Sequence, residues 1–247
     1  PDLNCFNGRG GLAFPLWRDT RGNRPNITPG LLEVLSERLG LSVEAEDLFS
    51  YAYAILGTSA PTRWAEAHSE LVATPPSLPL TSDPELFCEL ARLGRGLVAL
   101  HTSNKRFAEA ADPGPGSGSA TELETVRSYP QDFSFDHERG VLTVGDGTFG
   151  PIDEQVWGYE VSGLKVIESW LGYRMAERRG RKSSALDDIS PGRWTFSAEL
   201  VELLGVLERT VELENDALAL LERVIDGDLI DSALLPLPTD DDRKAPK

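Results

Sequence analysis

The stretch Val156-Trp157-Gly158-Tyr159-Glu160-Val161-Ser162-Gly163-Leu164-Lys165-Val166-Ile167-Glu168-Ser169-Trp170-Leu171-Gly172-Tyr173-Arg174 constrains the fold more than any other part of the chain. It carries two of the five tryptophans and two of the five tyrosines. From Leu164 onward the apolar residues Leu164, Ile167, Trp170 and Leu171 recur at helical spacing. Ser162 fits an N-cap, and Gly163 fits an early turn. The pattern predicts an extended, aromatic-bearing arrival, a sharp Ser-Gly turn and a short amphipathic helix. That helix runs into Arg174-Met175-Ala176-Glu177-Arg178-Arg179-Gly180-Arg181-Lys182, where five of nine residues are basic. A core helix with a solvated basic tail explains these residues, since aromatic stripes at helical spacing normally face a core. A basic segment facing an anion is the other reading.

The 247 residues are 40% hydrophobic, enough for a real core in one large domain or two small ones. The formal net charge of −16 argues against a generic nucleic-acid coat, which needs a basic face to neutralise phosphates. A local basic groove is still compatible with it, because net charge and charge distribution are separate facts. No apolar run approaches the roughly 18 residues that read as a membrane span. The start at Pro1, with neither a basic nor an apolar leader, leads to the expectation of a piece cut from a longer chain, with no signal peptide. Cys5 and Cys88 stand alone, outside any CxxC or Cys/His cluster, so no disulfide framework or metal site is expected and a reducing cytoplasm fits. The excess of Arg over Lys, with plentiful Ala, Gly and Leu, suggests a GC-rich bacterial source.

Along the chain, residues 12–17 read as an edge strand, because Pro15 cannot donate to a central ladder. Arg9, Arg18, Arg21 and Arg24 flank or follow it, in what reads as a turn-rich loop over 18–25. Helices are predicted from Pro29 to Gly40, from Ser42 to Gly57, over 61–71, and from a cap at Ser82 or Asp83 to about His101. Asp112-Pro113-Gly114-Pro115-Gly116-Ser117-Gly118 marks a flexible loop over about 109–121. Short strands over 123–129, 133–135, 141–144 and 148–149 read as a small antiparallel meander. After a short turn or helix at 186–189, Phe196, Leu200, Leu203, Leu204, Leu207 and Val211 form a helical stripe, and a separate shorter helix covers about 216–225. Residues 236–247, with Asp240-Asp241-Asp242 and several prolines, are expected to be a disordered acidic tail.

The expected fold class is therefore α+β. A small, mainly antiparallel sheet packs with helices from both ends of the chain, in one domain over 1–235. Its parts are helices over about 28–101, the loop over 109–121, the meander over 123–150 and helices over 163–226.

Catalytic signatures are missing from the sequence. It has no GxGxxG after a strand, no phosphate-loop GxxxxGK[ST], no GxSxG elbow and no HExxH. His68, His101 and His137 are isolated, and the many carboxylates read as solvated faces or helix caps. The Asn-Pro-Pro-Tyr type of sequence that adenine methyltransferases use to hold a flipped base is absent as well, as is a glycine-rich methyl-donor site.

Several stretches, taken in order, resemble the C-terminal specificity domain of Type ISP restriction–modification enzymes and of related adenine-specific DNA methyltransferases. They are Phe14-Pro15-Leu16-Trp17 with Arg18-Asp19, then Pro25-Asn26-Ile27-Thr28, and then the run from Glu46 to Leu56. Leu86-Phe87, the glycine-bearing turn from Gly145 to Phe149, and Leu186-Asp187-Asp188-Ile189 follow the same order. The longest piece is Val156-Trp157-Gly158-Tyr159-Glu160-Val161-Ser162-Gly163, continued by Trp170-Leu171-Gly172-Tyr173-Arg174.

The resemblance implies sequence-specific recognition of double-stranded DNA, with no catalysis in this segment. The partners it implies are the methyltransferase part of a parent enzyme, with or without translocase and nuclease parts. S-adenosylmethionine is the cofactor expected of that methyltransferase, and phage defence is the expected setting. The candidate DNA-positioning residues are Arg9, Arg18, Arg21, Arg24, Lys105, Arg106, Lys165, Arg174, Arg178, Arg179, Arg181 and Lys182. A module that docks a methyltransferase or translocase without touching bases is the alternative, suggested by the acidic total and the Leu-rich helix after Thr195.

Overall fold

The computed structural model describes residues 15–56, 78–102, 118–161, 163–176 and 193–244. The chain divides into two compact units, Pro1–Arg95 with Asp216–Lys247, and Gly96–Asn215, where the sequence reading takes 1–235 as one domain. Two long helices each contribute residues to both units.

In the first unit, α1 (Leu31–Leu39) lies between two left-handed glycines, Gly30 at φ 84° and Gly40 at φ 64°. Pro29 is expected in the first helical turn but stands before it, because the left-handed Gly30 follows. Helix α2 (Ala45–Leu56) buries Leu48, Tyr51, Ala54 and Ile55 on one face. Helix α3 (Pro84–Thr102) begins where Pro84 and its cap place it. The Asp83 carboxylate accepts from the N–H groups of Glu85 and Leu86, two donors that a helix start leaves without intrahelical partners. A Cβ added to Gly94 of α3 would lie 1.8 Å from the carbonyl oxygen of Ser50 in α2. The two helix backbones can approach this closely only because position 94 has no side chain. Tyr51 stacks on Phe87 at 4.8 Å between ring centroids. Its hydroxyl donates to the Pro79 carbonyl and accepts from the Thr81 N–H.

The second unit holds the sheet. Its strands are β1 (Thr121–Glu124), β2 (Phe133–Asp136), β3 (Val141–Val144) and β4 (Gly147–Gly150), in the order β1-β4-β3-β2 and antiparallel throughout. Strands β2 to β4 form the expected meander. Strand β1 does not join it at β2; it crosses to the far edge and pairs with β4. The β2–β3 hairpin turns through Gly140 at φ 62°, with the Asp136 carboxylate accepting from the N–H groups of Glu138 and Arg139.

The region 156–174 departs from its predicted shape. Val156 and Trp157 are not extended but close a short helix, α4 (Glu154–Trp157), capped by Asp153. A small hairpin follows, β5 (Glu160–Val161) and β6 (Leu164–Lys165), with Gly163 at φ 79°. Helix α5 (Val166–Gly172) then starts at Val166 with Lys165 at its cap position, so Leu164 belongs to the hairpin and not to the helical stripe.

The expected break near residue 215 is absent: one continuous helix, α6 (Ser197–Asp226), replaces the two predicted. No proline or left-handed glycine interrupts it, and Asn215 and Asp216 are tolerated at exposed positions.

The core of this unit gathers Leu142, Val144 and Phe149 from the sheet, Trp157, Ile167 and Leu171 from α4 and α5, and Leu200, Leu204 and Leu207 from α6. Burying each such side chain contributes about 1.5–3 kcal/mol. The architecture is α+β, as expected. The helices α1 and α2, however, belong to the other unit, and the sheet is covered by the chain that follows it.

Candidate nucleic-acid interface

The loop over 18–26 is closed by main-chain hydrogen bonds. Arg18 N donates to Arg24 O at 2.8 Å, Asn26 N donates to Leu16 O at 2.7 Å, and Trp17 bridges Pro25. That single bridge is all the strand structure in the described part of the predicted edge strand. Asp19 organises the interior of the loop. Its carboxylate accepts from the N–H groups of Arg21 (2.8 Å), Asn23 and Arg24 (2.6 Å). Desolvation pushes its pKa up, but the bonds from Asn23, Arg21, Arg24 and Gly22 outweigh it and hold the carboxyl below the ordinary range. The loop is thus pre-formed, and it carries the exposed side chains of Arg21 and Arg24.

Arg18 is placed differently. Its guanidinium donates to Asn26 Oδ1 at 2.8 Å and to two main-chain carbonyls, Asp242 O at 2.9 Å and Lys244 O at 2.6 Å. Residues 239–244, within the stretch 236–247 expected to be a disordered tail, form a turn whose carbonyls at Asp242 and Lys244 meet Arg18 in the same unit. There Thr239 and Asp242 cap each other's turn.

In the second unit, the β5–β6 hairpin and α5 line an open pocket of about 420 Å³, formed by Gly163, Leu164, Lys165, Glu168, Ser169, Gly172 and Tyr173. Leu164 and Tyr173 are 58% and 60% exposed. Lys165 donates to Glu168 at 2.8 Å, and this hydrogen bond, the Glu168 charge and the Glu160 charge raise its pKa against desolvation. The tip is accordingly apolar with mixed charge.

A family model described as the Type ISP C-terminal specificity domain matches residues 1–205 of this chain. The chain belongs to that family. No curated protein matches the chain, and no solved structure does.

Of the basic residues singled out in this specificity domain, Arg18, Arg21 and Arg24 share one loop, while Lys165 and Arg174 stand at the two ends of α5. Arg9, Lys105, Arg106, Arg178, Arg179, Arg181 and Lys182 lie outside the described residues.

Arg174 is engaged within its own unit. Its guanidinium carbon lies 3.8 Å from the Trp170 ring centroid and 5.2 Å from that of Phe196. Nη1 donates to Trp170 O, and Nη2 lies 3.8 Å from a Glu199 carboxylate oxygen. Burial lowers its pKa from the ordinary arginine value, and Glu199 opposes that shift. The residue that follows, Met175, is buried, and Ala176 N donates to Pro130 O. The chain is therefore anchored up to residue 176, where the arginine-rich continuation begins.

Two features escaped the sequence reading. Asn26, a side-chain acceptor for Arg18, stands out in the sequence only as part of the stretch Pro25-Asn26-Ile27-Thr28, with no signal for this role. Leu164 looked like a member of a buried helical stripe, yet it is exposed, as is Tyr173. A two-residue hairpin interrupts the helical period, and periodicity alone does not reveal it.

Among the described residues there is no group of metal-binding side chains, and no helix is long and apolar enough to cross a membrane.

Proposed function

We propose that this specificity domain holds double-stranded DNA and presents a target site to an adenine-specific methyltransferase part of the same enzyme. The observation that carries the reading is the match to the Type ISP C-terminal specificity domain over residues 1–205. Among the described residues, Arg21, Arg24 and Lys165 are exposed cations on short, hydrogen-bonded frames. Such cations hold phosphates and set register, while Arg, Asn or Gln side chains at base edges in the major groove carry the sequence information. The methyl group would come from S-adenosylmethionine bound by the methyltransferase part. Translocase and nuclease parts would make the enzyme a bacterial, cytoplasmic phage-defence system.

The test exchanges this segment between the parent enzyme and a relative with a different methylated motif, then maps methylated adenines genome-wide. The methylated motif should follow the exchanged segment. A motif that stays with the host enzyme overturns the reading.

The exposed Val161, Leu164 and Tyr173 favour a second reading, docking onto another part of the parent enzyme. Leu164→Asp with Tyr173→Asp would then abolish methylation while leaving duplex affinity unchanged.

A further inference from the structure

The loop that presents Arg21 and Arg24 is held on one side by residues from the far end of the chain. Arg18 directs one guanidinium nitrogen at Asn26 Oδ1 and Asp242 O, and the other at Lys244 O. Carbonyl oxygens at 2.6–2.9 Å occupy the positions that two oxygens of a phosphate take in a bidentate arginine contact. Asp242 adds negative charge: hydrogen bonds from Thr239 chiefly, and the charges of Arg18 and Arg24 to a lesser extent, hold its carboxyl below the ordinary range. The segment also carries Asp240 and Asp241, and it lies beyond the matched family span, which ends at residue 205. The Arg18 Nη1 contact to Asp242 is half-buried, but the Nη2 contact to Lys244 and the Thr239–Asp242 capping bonds are exposed, so salt screens the charged part and a denser anion can compete for it.

We infer that residues 239–244 are a built-in competitor for DNA phosphate at Arg18, so that duplex binding requires this segment to leave. The inference rests on the DNA reading above and adds to it a site, a ligand class and a regulating segment. In the free protein Arg18 is occupied, which lowers apparent affinity by the fraction of molecules with the site closed. DNA phosphates then take the place of the two carbonyls, and the Thr239–Asp242 turn detaches.

The test measures the affinity of the full chain for a fluorescein-labelled duplex by anisotropy, across a salt series. Thr239→Ala removes the hydroxyl that caps the turn without changing net charge. It should tighten binding about two- to fivefold, the range expected when a surface contact of this kind is released. Asp240→Asn with Asp241→Asn and Asp242→Asn should tighten it further. In an Arg18→Ala background the Thr239→Ala gain should vanish, whereas a general charge effect of the triple variant would persist. Amide NMR signals of residues 239–244 in the wild-type chain should move, on adding duplex, toward their positions in free Thr239→Ala. Unchanged affinity in Thr239→Ala, a gain that survives Arg18→Ala, or tail signals that stay put while duplex binds would each overturn the competitor and leave the DNA reading standing. A chain that binds no duplex in any variant would overturn both.

Discussion

The Arg174 guanidinium sits over the Trp170 ring, 3.8 Å from its centroid, with Phe196 5.2 Å away and the Trp170 carbonyl accepting from Nη1. A basic residue at the mouth of an arginine-rich stretch thus serves as a packing element. Arg174→Ala should cost about 1–2 kcal/mol of stability, from the lost cation–π contact and the lost cover over two aromatic rings. Arg174→Lys should recover little, because an ammonium does not reproduce the planar stack. Urea denaturation reads the stability. The salt dependence of duplex binding reads the charge, and its slope should be unchanged; a slope lower by about one would mean that Arg174 meets a phosphate.

Arg21 and Arg24 should behave in the opposite way. Both are exposed, on a loop whose main chain is fixed by Asp19, so their removal costs the fold little. Arg21→Ala with Arg24→Ala should leave the denaturation midpoint within error. It should weaken duplex binding similarly for all sequences and flatten the salt slope by about two. Asp19→Asn should weaken binding without removing a cation, since it loosens the frame that aims both side chains. An unaltered slope in the double variant would exclude phosphate contacts from this loop.

Local chemistry made much of the fold legible. The Asp83–Pro84 start of α3, the left-handed Gly40 that ends α1 and the glycine turns at 140 and 145 are read from a few adjacent residues, and the structure places them accordingly. Long-range pairing was not legible. Strand β1 prefers β4 over β2, and no pattern in Thr121–Glu124 says so. Arg18 finds its carbonyl partners 224 and 226 residues away, through main-chain atoms that carry no residue-type signal. The same limit separated Arg174 from Arg21. Arg174 follows an aromatic stretch and Arg21 sits in a turn-rich one, but only the fold shows that the first lies over the Trp170 ring while the second faces solvent.

The crossing of α2 and α3 should be intolerant at one atom. A Cβ at position 94 would meet the Ser50 carbonyl oxygen at 1.8 Å, far inside contact distance, so the helices must separate. Gly94→Ala should cost about 3 kcal/mol, at the upper end of overpacking effects, despite the better helix propensity of alanine. Among the described residues, the neighbouring Ser50 hydroxyl is buried with no hydrogen-bond partner. Ser50→Ala should therefore be neutral or stabilising, because it removes an unsatisfied polar group. Thermal melting of the two variants separates the effects. A Gly94→Ala chain as stable as wild type would mean that the helices are not packed this closely.

His101 should impose a pH dependence on stability. Its Nε2 lies 3.2 Å from Thr210 Oγ1, and the Thr210 hydroxyl lies 2.8 Å from the Val206 carbonyl. Although His101 as a residue is exposed, desolvation on the ring side facing Thr210 lowers its pKa below the ordinary 6.5, and the pull of Glu214 in the other direction is the weaker effect. The unfolded chain therefore binds the proton more readily than the folded one between the two pKa values. Linkage then requires stability to be complete above about pH 6.5 and to fall as the pH drops through that value toward the folded pKa. Carboxylates such as Asp19 and Asp146, whose folded pKa values are depressed, lose their contribution only at lower pH, through the ordinary carboxylate range and below, so the two effects separate on the pH axis. His101→Gln should flatten the upper step and leave the lower one in place. Urea midpoints measured from about pH 4 to 8 would check this, and an upper step that persists in His101→Gln would move its origin to another group.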